Sequence, residues 1–347
     1  MDLVLRARLC SIHNNTLNSA CKYFPIMAPK FSNLDLVNGV DGFPNAATHP
    51  VAFAERTADH SRFMYLSHTV GYIIPMVLDA LKDVTLSGDW WEIKPGVVRL
   101  LGDTVEERTK NIDETTRRWR DAKRFEILSG WRDERYTVYA PQGKPCFYME
   151  RSAHPLFGVV AYGSHMTVYI PATPTTPLRI WVPRRAAGKA TYPSMLDNTV
   201  AGGMGDGQTP WECIIKEAGE EASLEEDYVR ANAKAVGFVS YFYVRHKEAG
   251  GEEGLLQPEV EYCYDMIVKE PSEGGPVPKP FDGEVAEHIL MDVDEVIKNL
   301  ENGKFKPNCA AVLLDFFIRH GVITAENEPD FLEIYTRLHR RLEFPTR

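Results

Sequence analysis

No stretch of the 347 residues runs to about 18 consecutive apolar side chains, so no transmembrane helix is predicted and no membrane partner is expected. The six cysteines (Cys10, Cys21, Cys146, Cys213, Cys263 and Cys309) are scattered, with no C-x-x-C pair. That argues against a disulfide scaffold or a zinc site, and for a reduced, intracellular protein. An excess of basic residues is also missing. The formal net charge is −10, so the chain lacks the electrostatic footprint of a nucleic-acid binder, and no nucleic-acid partner is expected. An anionic substrate stays open, because local cations or a metal reverse the field at a site. Internal repeats and long low-complexity tracts are absent as well.

What is present is ordinary for a globular protein: 44% hydrophobic and 25% charged residues, over a length that suits two domains or one large one. After Asp2 no acid occurs before Asp35, while Arg6, Arg8, Lys22 and Lys30 are present. Such a start suits a mitochondrial presequence. The plainer reading is a disordered tail over residues 1–27, ahead of an alternative start at Met27, in a cytoplasmic protein. Residues 28–150 read as an N-terminal α/β domain. Within it, Thr104 to Arg124 is rich in charge and poor in apolar residues, and is expected as an exposed helix with acids near its start. A turn is expected at Pro141-Gln-Gly143.

Residues 151–347 have a different texture. Val159 to Ile170, Leu178 to Val182, Ala235 to Val244 and Val260 to Val268 read as strands. Val293 to Leu300 and Ala310 to His320 read as helices, and the proline-rich Glu270 to Asp282 as a long loop. Strands mixed with helices, and only one glycine-rich turn, predict an α+β sandwich rather than a doubly wound parallel sheet.

The chemistry concentrates after that turn, Ala201-Gly-Gly-Met-Gly-Asp-Gly-Gln208. Thr209 is a good N-cap, Pro210 suits the first helical position, and Glu212 completes a capping box. At about 100° per residue, Trp211, Ile214, Ile215, Ala218 and Ala222 form one apolar stripe that should pack on a sheet. Glu217, Glu220 and Glu221 share a neighbouring face. Three carboxylates this close repel each other unless a cation sits among them. Mg²⁺, or Mn²⁺, suits such oxygen ligands. The glycines, Gly202 and Gly203 among them, let the backbone approach a phosphate closely. Cys213, on the same face one turn earlier, reads as a small packing residue.

This segment resembles the Nudix box, G-x5-E-x7-R-E-U-x-E-E-x-G-U, where U is a bulky aliphatic residue. Gly202, Glu217, Glu220, Glu221 and Leu224 match in register. The departures are Gln208, Lys216, Ala218 and Ser223. Lys216 keeps the charge of the usual arginine without its fork geometry. Ser223 is costly, by up to about 1 kcal/mol, where the backbone must be left-handed. More broadly, the chain from about Phe31 to Phe344 looks like the thiamine-pyrophosphokinase-related Nudix hydrolases, which carry an N-terminal α/β region. Gly130-Trp-Arg-Asp-Glu134, Pro155-Leu-Phe-Gly158, Tyr162-Gly-Ser-His165, Trp181-Val-Pro-Arg-Arg185, Thr191 to Gly203, Asp282-Gly-Glu284 and Phe305-Lys-Pro-Asn-Cys309 carry that resemblance.

The resemblance implies a Nudix α/β/α sandwich behind a smaller N-terminal domain. It also implies metal-dependent cleavage of a small-molecule diphosphate, with oxidised or damaged thiamine diphosphate favoured. Glu217, Glu220 and Glu221 are the expected metal ligands, and one of them or Glu284 the expected base. Arg184 and Arg185 are candidate phosphate clamps, and Tyr192 a residue bordering the site. Trp131 reads as a domain anchor that also suits stacking on a heterocycle, and His154 and His165 read as structural. The residues themselves leave open a pyrophosphatase for nucleotide sugars or ADP-ribose, a non-catalytic binding protein on the same fold, and a monomer or a homodimer.

Overall fold

The computed structural model describes residues 30–347, so the tail or presequence expected over residues 1–27 lies outside the described residues. In the first half, α1 (Asn33–Asn38) and α2 (Pro50–Arg56) precede β1 (Ser61–Tyr65) and β2 (His68–Ile73). Then come α3 (Pro75–Lys82), α4 (Val84–Ser87), β3 (Trp91–Lys94), β4 (Val97–Leu100) and the long α5 (Val105–Asp121). These strands form one sheet in the order β2-β1-β4-β3. A separate hairpin, β5 (Arg135–Ala140) and β6 (Lys144–Glu150), turns at Pro141-Gln-Gly143, where Gln142 adopts φ 67°.

The α5 helix is not the fully exposed helix that its composition predicts. Ile112, Thr115, Thr116 and Trp119 bury one face. Threonines take the place of the usual aliphatic stripe, because the Thr115 hydroxyl accepts hydrogen bonds from the indoles of Trp90 (2.8 Å) and Trp91 (3.0 Å).

The second half contains β7 (Ala161–Ile170), β8 (Arg179–Arg185), β9 (Val200–Gly203), α6 (Pro210–Ala222) and α7 (Glu226–Asn232). These are followed by β10 (Ala233–Val244), β11 (Leu256–Ile267), β12 (Val285–Asp292), α8 (Val293–Glu301), α9 (Pro307–Arg319) and α10 (Phe331–Leu338). The strands order as β10-β11-β7-β8-β12, with β9 alongside β7. β7 runs parallel to β11 and antiparallel to β8 and β9, so the sheet is mixed.

Every residue of β7 is buried, because helices cover both faces of the sheet. On one face Met166, Val168 and Ile170 meet Ile214, Ile215, Ala218 and Ala222, the stripe expected of α6. On the other, Tyr169, Val239 and Cys263 pack beneath Ala310, Leu313, Leu314 and Phe317 of α9 and Ile334 of α10. The result is the expected α/β/α sandwich.

A third cluster joins the two halves. Phe63, Val98, Trp119, Phe147 and Phe157 are continuous with Tyr162, Phe242, Val260, Leu342 and Phe344. The first and last described segments are tied together by a buried ion network. The Asp41 carboxylate accepts from Phe242 N (3.1 Å), Arg340 Nη1 (2.9 Å) and Arg337 Nε (3.1 Å). Among the described residues no helix is long and apolar enough to cross a membrane.

Candidate active site

The α6 helix begins as its sequence dictates. Thr209 Oγ1 accepts from Glu212 N (3.2 Å), and the Glu212 carboxylate accepts in return from Thr209 N (3.1 Å). It ends at Ser223, whose φ of 51° and ψ of 34° are left-handed. Ser223 N donates to Gly219 O and Leu224 N to Ala218 O, closing the last turn. Glycine adopts this conformation without penalty, so Ser223→Gly should raise the free energy of unfolding. Loss of the Ser223 Oγ bond to Lys279 O (3.0 Å) offsets part of the gain, leaving about 0.5 kcal/mol net in chemical denaturation. A less stable glycine variant would contradict this account of the cap.

The proline-rich loop is moored to the same helix end. Lys279 N donates to Ala222 O (2.9 Å), and Asp282 N to Glu220 O (3.3 Å). This mooring carries Glu284 toward the α6 glutamates. β9 closes the other side. Ala201 N donates to Glu221 Oε2 (2.9 Å). At Gly202 a Cβ atom would lie 2.2 Å from Glu217 Cγ, and at Gly203 it would lie 1.7 Å from Tyr136 Oη. The two glycines therefore make room for protein side chains, where sequence reasoning expected them to admit a phosphate. Cys213 is buried beside the carbonyls of both, and burial pushes its thiol up to about 12, in keeping with a packing role.

These elements bound a cleft of about 300 Å³ whose lining includes Gly202, Gly203, Glu221, Glu284, Arg185 and Tyr192. Glu221 is only 8% exposed. Burial first, then the negative charge of Asp197, Glu217 and Glu284, pushes its carboxyl up to about 8. No basic side chain pairs with Glu221 among the described residues, and its Oε1 accepts no hydrogen bond. Glu217 packs on Gly202, and burial, reinforced by Glu220, raises its carboxyl although Lys216 opposes the shift. Glu220 turns outward to Lys216 Nζ (2.8 Å), which also reaches Glu217 (3.3 Å). Among the described residues no three carboxylate, imidazole or thiol side chains stand gathered as a ready metal cage. Glu220, paired with Lys216, does not line the cleft with Glu221. At Glu284 burial opposes ionisation, but the paired Lys189 ammonium outweighs it and holds the carboxyl below its usual range.

The two arginines are placed differently from their expected role as phosphate clamps. Arg184 pairs with Glu287 across β8 and β12 (2.8 Å) and does not line the cleft. Arg185 lines it, but Nη1 donates to Asp197 (2.7 Å), Nε to Tyr192 O (3.1 Å) and Nη2 to Thr191 O (3.0 Å). Its fork is occupied in bracing the Tyr192 loop. Tyr192 itself meets Tyr243 hydroxyl to hydroxyl (3.0 Å). Trp131 lies between the Arg117 and Arg120 guanidiniums, outside the cleft lining.

Sequence inspection passes over much of the cleft wall. Arg132, Tyr136, Arg151, Lys189, Tyr241, Glu259, Glu261, Lys306 and Asn308 line it. The Tyr241 hydroxyl donates toward both Glu261 (2.9 Å) and Glu259. His165, expected to be merely structural, lies 3.4 Å from Glu261 and 2.7 Å from the Asn198 side chain. Burial alone would keep that ring neutral, but the Glu261 carboxylate overrides it and raises the imidazole well above its ordinary value.

His154 is the opposite case. Neither ring nitrogen has a partner in hydrogen-bond geometry, and burial pushes it down to about 3. The unfolded chain takes up this proton near pH 6.5 while the native state refuses it until about 3. Stability is therefore lost as the pH falls through this window. Relative to wild type, His154→Leu should gain about 2 kcal/mol between pH 7.5 and pH 5 in denaturant titrations. A gap independent of pH would contradict the assignment.

Comparison with known proteins agrees with this architecture. A family model described as "NUDIX domain" matches residues 164–310, and one described as "Domain of unknown function (DUF4743)" matches residues 44–161. The chain is 40% identical over 253 residues to the uncharacterized protein YJR142W of Saccharomyces cerevisiae, covering 72% of each chain. It is 31% identical over 298 residues to Nudix hydrolase 20, chloroplastic, of Arabidopsis thaliana, covering 83% of this chain and 75% of that one. For Nudix hydrolase 24, chloroplastic, of the same plant, the identity is 32% over 287 residues, covering 82% and 74%. A mixed sheet between helical layers, with a glutamate-bearing helix at its cleft, defines the class, and the chain belongs to the Nudix hydrolase family. It is accordingly an enzyme that hydrolyses a diphosphate substrate.

Proposed function

We propose that the protein cleaves the diphosphate of a thiamine-like compound, turning oxidised or otherwise damaged thiamine diphosphate into the monophosphate and inorganic phosphate. One observation carries the catalytic part of this reading. Glu221 is a buried carboxylate without a cationic partner among the described residues, and Glu217 and Glu284 bear electrostatically on it. Such a donor set fits a hard divalent cation. Glu217, Glu220 and Glu221 would hold Mg²⁺, or Mn²⁺, once Glu220 leaves Lys216. When bound, the metal supplies a Lewis acid at the phosphoryl oxygens and eases deprotonation of water.

The chain's own residues do the rest. Glu284, kept ionised by Lys189, accepts a proton from the attacking water. The water oxygen bonds to phosphorus, the anhydride P–O bond breaks, and the bridging oxygen keeps the electron pair. Gly202 keeps Glu217 in place by leaving it space.

The thiamine-like organic group is supported by the motifs spread from Gly130 to Cys309. It is also supported by a cleft wall that includes Tyr192, Tyr243 and the acidic pair Glu259 and Glu261. A cationic heterocycle suits both. The division near residue 150, the cytoplasmic location and the monomeric or homodimeric state belong to the same reading.

The test is incubation with Mg²⁺ or Mn²⁺ and a panel of thiamine, oxythiamine, nucleotide-sugar and dinucleotide diphosphates, with products followed by ³¹P NMR. Thiamine-type diphosphates should be cleaved fastest. Preference for a nucleotide sugar would overturn the substrate assignment, and no cleavage of any diphosphate would overturn the catalytic reading.

A further inference from the structure

Residues 44–161 match a family model that carries no function, yet part of this region forms a wall of the cleft. Gly130, Arg132, Tyr136, Arg151 and Ser152 all line it. Two of these carry positive charge. The Arg132 guanidinium has neither a hydrogen bond nor an ion pair among the described residues; only its backbone N–H is engaged, donating to Glu150 Oε1 (3.1 Å). The same Glu150 oxygen accepts from Ser152 N (3.1 Å), so one buried carboxylate fixes the backbone on both sides of the pair.

The loop bearing Arg132 is held from outside as well. Trp131 is clasped by Arg117 and Arg120, and its indole donates to Asp133 (2.9 Å). The preceding turn is tied to the β10–β11 loop, where Glu252 accepts from Glu126 N and Ile127 N. Arg151 pairs with Glu134 (2.8 Å) and lies over the Tyr136 ring. Both arginines act electrostatically on Glu284, and Arg151 also acts on Glu217. Arg132 and Arg151 line the same cleft as Glu221 and Glu284 of the other half.

We infer that the region of residues 44–161 completes the active site by supplying a diphosphate clamp, with Arg132 as its free fork and Arg151 beside it. The inference rests on the hydrolase reading above and assigns this region a role in that same site. The Arg132 guanidinium would hold phosphoryl oxygens from the wall opposite Glu221, on whose side Glu217, Glu220 and Glu221 would hold the metal. Arginine suits this task because its planar fork matches phosphate oxygens. The cations that sequence reasoning assigned to Arg184 and Arg185 come instead from the opposite half of the chain.

Arg132→Ala, Arg132→Lys and a surface control, Arg230→Ala, made in the full chain, test this. The Arg132 side chain holds nothing together, so the variants should melt with the wild type. With the best diphosphate of the panel and Mg²⁺, Arg132→Ala should raise KM by roughly 10- to 100-fold, the scale of a lost charge-assisted bond. kcat should fall less. Arg132→Lys should recover part of the loss, and Arg230→Ala should match the wild type.

Equilibrium binding of magnesium pyrophosphate, read by calorimetry, separates this inference from the hydrolase reading. If no organic diphosphate is cleaved, the hydrolase reading falls, but weakening of pyrophosphate by roughly tenfold or more in Arg132→Ala still upholds the clamp. A wild type that does not bind pyrophosphate, or an Arg132→Ala variant with unchanged KM and unchanged pyrophosphate affinity, overturns it.

Discussion

Glu221→Gln is expected to lower turnover by about a thousandfold, at the upper end of what removing one stabilising group from an active site costs. The fold should survive. Glutamine fills the same volume, and its amide oxygen can still accept from Ala201 N, the one hydrogen bond that Glu221 makes among the described residues. Burial and the neighbouring negative charge of Asp197, Glu217 and Glu284 disfavour the ionised side chain, and the single Ala201 N–H bond does not outweigh them. A cation does. Steady-state rates with Mg²⁺, beside thermal melts, check both halves of this expectation. Near-normal turnover would remove Glu221 from the metal site, and collapse of the fold would show that its role is structural.

Gly202→Ala is the second large effect, and it reaches the chemistry through space alone. Gly202 is absent from the positive-φ residues, so alanine meets no backbone penalty there. The new methyl, however, would sit 2.2 Å from Glu217 Cγ and 2.3 Å from its Cδ. Glu217 must swing away, and a misplacement of about 1 Å in a catalytic group costs on the order of 10² in rate. If displacement of Glu217 is the whole cause, the loss is not additive. Gly202→Ala combined with Glu217→Gln should be no slower than Glu217→Gln alone, giving a large coupling term in a double-mutant cycle. Additive losses would mean that Gly202 contributes independently, for example through close approach of its backbone to substrate.

The helix that carries these residues was legible because all its determinants are local. Thr209, Pro210 and Glu212 mark its start, and the stripe from Trp211 to Ala222 marks its buried face. β7, β8, β10 and β11 were legible for a related reason: each is a run of aromatic and β-branched residues long enough to stand out. β9 was not, since Val200-Ala-Gly-Gly203 has two glycines in four residues and becomes a strand only by pairing with β7. β12 was missed because it lies at the sheet edge, where partly exposed Glu287 and His288 interrupt the alternation that marks a strand.

The site divides in the same way. Glu217, Glu220 and Glu221 are neighbours in sequence, so their grouping can be read. Arg132 and Arg151, Glu261 and His165, and Lys189 and Glu284 come together only through the sheet and the core shared by the two halves. Of these, only Glu284 was singled out for chemistry from the sequence and His165 was read as structural, while Arg132, Arg151, Lys189 and Glu261 carried no more weight than any other charged residue. Arg184 and Arg185 mislead for the converse reason. Adjacent residues on a strand point to opposite faces, and one is spent on Glu287 and the other on Asp197.

Binding of Mn²⁺ followed by electron paramagnetic resonance tests the central claim most directly, because it reads the glutamate site without depending on the identity of the substrate. The wild type should bind Mn²⁺ in competition with Mg²⁺, and Glu221→Gln should lose most of that affinity while keeping its melting temperature. Equal binding by the two proteins would contradict the assignment of Glu217, Glu220 and Glu221 as the metal-holding face.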